Sequence, residues 1–238
     1  CSVHMGSDDK PRRVGHKFQV SHLIKVNDIS FWQSTADFHM MKTESAGVIL
    51  RAGQGLWHDS KFSVFRAGAK EAGMPFGNYW YYDNRYEPKR QAEKWASIIG
   101  NDAGELGCWI DLEDSQAGAY GSYKHWYDFD SYFRQLVPSA KVGIYTRAEY
   151  FNSRAPALHV FRDYPLWIAH YKTDKPTLPR GWNDWVLWQY SDEGDGYAHG
   201  VGSREIDMNW YKGLVKSPSV LQAHFKNETV EYRSNNEI

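Results

Sequence analysis

The chain has 238 residues, room for one large domain or two small ones and for a sizeable core. Its 28 Lys+Arg against 29 Asp+Glu leave a net charge of −1, so no global field draws it to nucleic acid or to an anionic membrane. No apolar run approaches a membrane span, and the first residues lack the charged-then-apolar pattern of an export signal.

Taken in order, residues 1–10 read as an expression remnant and residues 12–25 as a polar, basic lead-in, which puts the folded domain at 26–225. The first strand is expected at 26–30 and a short helix at 36–45. A second strand follows at 47–51. Asp59-Ser60 can cap a helix that carries Phe62, Phe65, Ala69 and Ala72 at helical spacing and stops at Gly73. The third strand is 75–82. Pro88 opens the next helix, in the first-turn position where its missing N–H costs nothing, and Gly100 follows its end. The fourth strand covers 106–113, a helix 123–136, the fifth strand 141–145 and a short helix 148–153. Strands six to eight fall at 164–169, 184–190 and 205–208. Residues 172–181 and 191–203 are rich in Pro, Gly and Asp and read as loops. A closing helix is expected at 214–225 and a polar tail at 226–238. Of the two cysteines, Cys1 lies in the irregular head and Cys108 starts a strand that should be buried, so no disulfide is expected.

Strand and helix alternating with short connections imply a parallel sheet with helices on its faces, and eight strands suggest closure. The expected fold is α/β: one irregular (β/α)8-like, TIM-type barrel with reduced helices in its C-terminal half.

In such barrels the side chains that do chemistry project from the carboxyl ends of strands. Asp111 and Glu113 lie one pleat apart on the fourth strand and share a face with Trp109. Two neighbouring carboxyls at a buried strand end compete for protons, which keeps one protonated beside an ionised partner. Asp207, between Ile206 and Met208, should point inward, and closure would bring it beside Asp28. A ring of acids at a cleft suits hydrolysis of a glycosidic bond. The plainer reading of Asp28 and Asp207 is strand-end capping or a pairing with Arg51. Aromatics collect at the same ends: Tyr79, Trp80 and Tyr82 on the third strand, Tyr145 on the fifth, Trp167 on the sixth, Trp188 and Tyr190 on the seventh. Exposed rings offer platforms to the apolar faces of sugars, although some of these must face the helices as core.

These residues are similar to a known family. Asp28-Ile29-Ser30-Phe31-Trp32-Gln33, Val48-Ile49-Leu50-Arg51-Ala52, Ala69 to Tyr79, Asp111-Leu112-Glu113, Ile144-Tyr145-Thr146, Trp167 to Tyr171, Trp188-Gln189-Tyr190 and Ile206-Asp207-Met208-Asn209 occur in one order and spacing. The chain resembles the family 25 glycoside hydrolases, the Chalaropsis-type lysozymes, from about residue 26 to 213. The resemblance implies cleavage of the β-1,4 bond between N-acetylmuramic acid and N-acetylglucosamine in peptidoglycan. It further implies retention with the substrate's 2-acetamido group as nucleophile, Glu113 as acid/base and an ionised Asp111 stabilising the acetamido group. Asp28 and Asp207 would tune the site. Tyr79, Trp80, Tyr145, Trp167, Trp188 and Tyr190 would contact sugar. Trp80 stands where the family often has His, a departure that would alter one subsite. No cofactor or metal is implied. The partner would be cell-wall peptidoglycan, met by a monomer, secreted or phage-released, that inserts in no membrane.

Two other function classes compete. A lectin-like relative could bind peptidoglycan- or chitin-type glycans on the same barrel without turnover, since fold does not fix function; it would be expected to lack the acid set. A metal hydrolase would need H-E-x-x-H, H-x-H or a Cys cluster, and none occurs.

Overall fold

A computed structural model describes residues 23–113 and 117–212. Nine strands form one sheet in the order β1-β9-β8-β7-β6-β5-β4-β2-β3, and β1 also pairs with β2, which closes an eight-strand barrel and leaves β3 as an appendage of β2. The barrel strands are β1 (Ile24–Ile29), β2 (Val48–Gln54), β4 (Phe76–Tyr81), β5 (Cys108–Leu112), β6 (Val142–Thr146), β7 (Leu166–Ala169), β8 (Leu187–Asp195) and β9 (Glu205–Tyr211), and β3 is Trp57–His58. Five α-helices accompany them: α1 (Phe38–Glu44), α2 (Phe62–Glu71), α3 (Pro88–Ile99), α4 (Tyr123–Leu136) and α5 (Ala148–Arg154). The expected irregular barrel with a thin late helical coat is the fold observed. The closing helix and tail expected from 214 onward lie outside the described residues, as does Cys1.

Period-2 alternation divides the barrel into two cores. Val26, Ile49, Trp109, Tyr145, Trp167 and Leu187 fill the interior. The residues between them, such as Ile29, Leu50, Trp80, Ile110 and Ile168, pack outward against the helices. Trp109 fits inside because its register partner Gly143 on the neighbouring β6 has no side chain; a Cβ there would stand 2.3 Å from the indole. Helix α3 turns Ala92, Trp95 and Ile99 inward at spacings of three and four, and α4 does so with Trp126, Phe129 and Phe133. The two helices lock where Trp95 stacks on Phe133 with centroids 3.9 Å apart.

Three expectations are corrected. The sheet is mixed, because β9 runs antiparallel to both β8 and β1. Residues 191–195 are strand, the rising half of a β8–β9 hairpin paired as far as Asp195↔Glu205; Gly, Ser and Asp there sit on an edge-like ladder with no core to fill. The lead-in ends two residues earlier than expected, since β1 starts at Ile24. Helix α2 does end at Gly73, which takes the left-handed conformation (φ 61°) favoured after a helix.

Candidate active site

Register brings the acids together. Asp28 on β1 is the direct partner of Asp207 on β9. Asp28 Oδ2 accepts from Asn209 Nδ2 at 2.8 Å and from Gln189 Nε2 at 3.0 Å. Burial pushes the Asp28 carboxyl up, and these bonds together with one from Asp207 pull it back. Asp207 is held well above the carboxylate range by burial and then by the charge of Asp28 and the bond to it. Of the two, Asp207 is pushed the further toward its neutral form.

Opposite, on β5, Asp111 is buried while Glu113 is half-buried at the rim. Burial, then the charge of Glu113, push Asp111 well above its ordinary value, against the pull of Arg51 and Arg147. Burial and the Glu113 charge both favour the neutral form of Asp111, whereas the resemblance implies an ionised one. Its Oδ1 is buried and has no hydrogen-bond partner among the described residues.

A relay joins the two acid pairs across the barrel. The hydroxyl of Tyr145 lies 2.8 Å from Gln189 Oε1 and 3.5 Å from Glu113 Oε2, so the shorter contact takes its single proton. Gln189 Oε1 also accepts from the Tyr171 hydroxyl at 2.6 Å, and its amide donates to Asp28. Beneath this layer Trp167 donates to Asn209 Oδ1 at 2.7 Å and meets the Tyr145 ring edge-on, with centroids 4.7 Å apart. Both amide side chains that hold Asp28 are thus themselves held.

A family model described as glycosyl hydrolases family 25 matches residues 27–200, a span that contains Asp28, Asp111, Glu113 and Gln189. The chain belongs to glycosyl hydrolase family 25. This family 25 glycosidase is 30% identical over 202 residues to lysozyme M1 of Streptomyces globisporus, covering 78% of the chain and 67% of that relative. It is 28% identical to the autolytic lysozyme of Clostridium acetobutylicum, covering 83% of the chain and 59% of that relative. Among solved structures it is similar to the Streptomyces coelicolor bacterial lysozyme, with TM-score 0.68 and 26% identity over 80% of this chain and 92% of that one. The muramidase of Acremonium alcalophilum gives TM-score 0.69 and 27% identity, covering 80% and 94%.

The aromatic residues expected at sugar divide by strand parity. Tyr79 and Tyr145 face the interior with the acids, and burial raises both phenols, so they stay neutral. Trp167 faces inward too but lies deeper, as floor. Trp80 points the other way: it is fully buried against the helices and stacks on Trp95, so no subsite is altered there. Trp188 and Tyr190 also turn outward, because Gln189 between them turns in. Arg51 pairs with the buried Asp59 at 2.9 Å, not with Asp28 or Asp207, while Asp59 Oδ1 accepts from the Lys61 N–H at the start of α2 at 2.9 Å.

Sequence reasoning passed over Gln189, Asn209, Tyr171 and Arg147, which the barrel gathers around the acids. The first two carried a usable signal. Leu187 and Gln189 share one face of β8, and Asp207 and Asn209 share one face of β9, so each polar residue follows a known inward position by two. Tyr171 and Arg147 lie just beyond their strands, where parity no longer decides.

Proposed function

We propose that this family 25 glycosidase hydrolyses the β-1,4 bond between N-acetylmuramic acid and N-acetylglucosamine in peptidoglycan, with retention, using the substrate's 2-acetamido group as nucleophile. Glu113 gives its proton to the glycosidic oxygen as the bond to the anomeric carbon breaks. The acetamido carbonyl oxygen forms the new bond to that carbon, and Asp111 accepts the amide N–H. Water then opens the cyclic intermediate at the anomeric carbon, losing its proton to Glu113.

The observation that carries this reading is Asp111 Oδ1, a buried acceptor with no partner among the described residues. An oxygen left in that state costs about 1–3 kcal/mol, and an amide N–H presented beside Glu113 recovers it. The same contact arms the acid. Burial and the charge of Glu113 push Asp111 toward its neutral form; an N–H donated to Asp111, and then positive charge growing on the acetamido group, favour Asp111 as carboxylate and so favour a proton on Glu113. The stabilisation is therefore greatest at the barrier, where it accelerates the step. Relatives named lysozyme and muramidase support the same substrate, which would place the protein's action at the bacterial cell wall. No helix among the described residues is long and apolar enough to cross a membrane.

The test is clearing of purified cell walls by the parent and by Glu113→Gln, with mass spectrometry of borohydride-reduced fragments. Clearing by the parent, a loss of at least about 10²-fold in the variant, and reduced ends on muramic acid are expected. Reduced ends on glucosamine overturn the bond assignment. If both proteins bind walls alike and neither clears them, the barrel is a glycan-binding module.

A further inference from the structure

Beside the acids stands a group of rings with no part in the steps above. Trp32 is 72% exposed and Trp57 42%. Phe31 sits between them, its centroid 4.4 Å from Trp32 and 5.2 Å from Trp57. Scattered single aromatics on a surface are ordinary. These three are held in place by dedicated local structure.

Trp32 rides on a turn closed twice: Gln33 N–H donates to the Ser30 carbonyl at 3.0 Å, and Ser30 N–H donates to Gln33 Oε1 at 2.9 Å. Trp57 belongs to β3, a two-residue strand folded back on β2 with Gln54↔Trp57 in register. The turn between them is made at Gly55, whose φ of 57° a side chain would resist. Presenting Trp57 is the most evident consequence of that small hairpin.

Arg51 ties the rings to the chemistry. Its guanidinium carbon lies 4.6 Å from the Phe31 centroid and 5.1 Å from Trp57. Asp59 Oδ2 fixes it, accepting from Arg51 Nε at 2.9 Å and from the Phe31 N–H at 3.0 Å. The charge of the same Arg51 lowers Asp111 and Tyr79 inside the barrel. Arg51, in the wall formed by β2 and β3, therefore lies against the rings while its charge reaches the acids, and Asp28 is only three residues from Phe31.

We propose that Phe31, Trp32 and Trp57 form a saccharide-stacking platform, a subsite for a pyranose ring of an unbranched β-1,4-linked 2-acetamido glycan beyond the two sugars at the cleaved linkage. A pyranose presents an apolar C–H face with its polar groups at the edge, which matches a flat, exposed indole. Rings fixed before binding lose little freedom when a sugar arrives. The platform rests on the glycosidase reading for its direction along the wall, and its test is independent of turnover.

That test uses Glu113→Gln as the parent background and titrates it with the dimer and the hexamer of β-1,4-linked N-acetylglucosamine by calorimetry. Adding Trp32→Ala or Trp57→Ala should weaken hexamer binding about tenfold each, leave dimer binding unchanged, and leave the melting temperature unchanged. Trp32→Tyr should recover most of the loss. Hexamer affinity that is absent in the background, or indifferent to both alanines, overturns the platform; so does an equal loss for dimer and hexamer. Should cell walls never be cleared but the hexamer still require both indoles, the platform stands and the reaction assignment alone falls.

Discussion

Asp28 and Asp207 face one another across the antiparallel β1–β9 pair, and burial pushes both carboxyls up, Asp207 the further. Evolutionary convenience does not explain such a pair, because burying it works against folding. Asp207 and Asp111 both have carboxyls raised by burial, so in the pH range between the unfolded value and the folded one the native state binds more protons than the unfolded chain. Stability is then fully present below the unfolded carboxylate pKa and falls as pH rises through the folded values. Asp207→Asn, whose amide still donates to Asp28, and Asp111→Asn should each gain about 1–2 kcal/mol at neutral pH while losing activity, and neither should gain at pH 3. Thermal melts across pH 3–8 check both the sign and the window; an equal gain at every pH refutes the linkage.

Gln189 sets which way the Tyr145 proton points. With Gln189 Oε1 taking that proton, the Tyr145 oxygen is left to accept from a protonated Glu113. The groups acting on this corner are Asp111 beside it, Tyr145 and Arg147 from β6 and its end, Tyr171 beyond β7, and Asp28 and Asp207 from the far side. In Gln189→Leu the phenol is free to donate to Glu113, which favours the carboxylate. The alkaline limb of kcat/KM should shift to lower pH by about one unit, and Tyr145→Phe in that background should bring it back. A uniform drop in rate with an unmoved limb would mean that Gln189 only packs.

Stacked rings join α3, α4 and β4 within the outward core. Trp95 stacks on Phe133 and on Phe129, lies against Trp80, and donates to Asn78 Oδ1 at 2.7 Å. Trp95→Ala should cost about 3–5 kcal/mol, read from urea midpoints. Trp80→Phe should cost less and leave KM for cell-wall substrate unchanged, since Trp80 is on the helix side of β4.

Cys108 is buried at the start of β5, and burial pushes its thiol up to about 12 despite a bond from Asn78. A thiol in that state has almost no thiolate at neutral pH. In a Cys1→Ser background, Ellman's reagent should leave the native protein unmodified and label one thiol in urea.

What the sequence made legible follows from where its signals come from. Strand positions and acid placement rest on alternation, and alternation is local: Ile206-Asp207-Met208 turns its acid inward as that rule requires. The direction of β9 is invisible to the same rule, because a strand alternates identically when reversed; the clue was the missing helical period in residues 191–203. Trp188 and Tyr190 drew attention through their chemistry, although parity with Leu187 assigns the inward place to Gln189. The β3 hairpin is two residues long, below the reach of any periodicity. Whether Asp111 is charged was not legible at all, since it depends on burial and on distant Arg51 and Arg147, which only the closed barrel gathers.

The barrel closes between Ile24 and Tyr211, nearly the full described length apart. A ladder of that sequence separation is slow to form, because almost the whole chain must be in place before its first rung is rewarded. Asp28 and Asp207 sit on that seam, and the relay to Glu113 starts there. A nascent or partly unzipped molecule holds Asp111 and Glu113 at one strand end but lacks the groups that act on their protons, so the site stays incomplete until β9 is home.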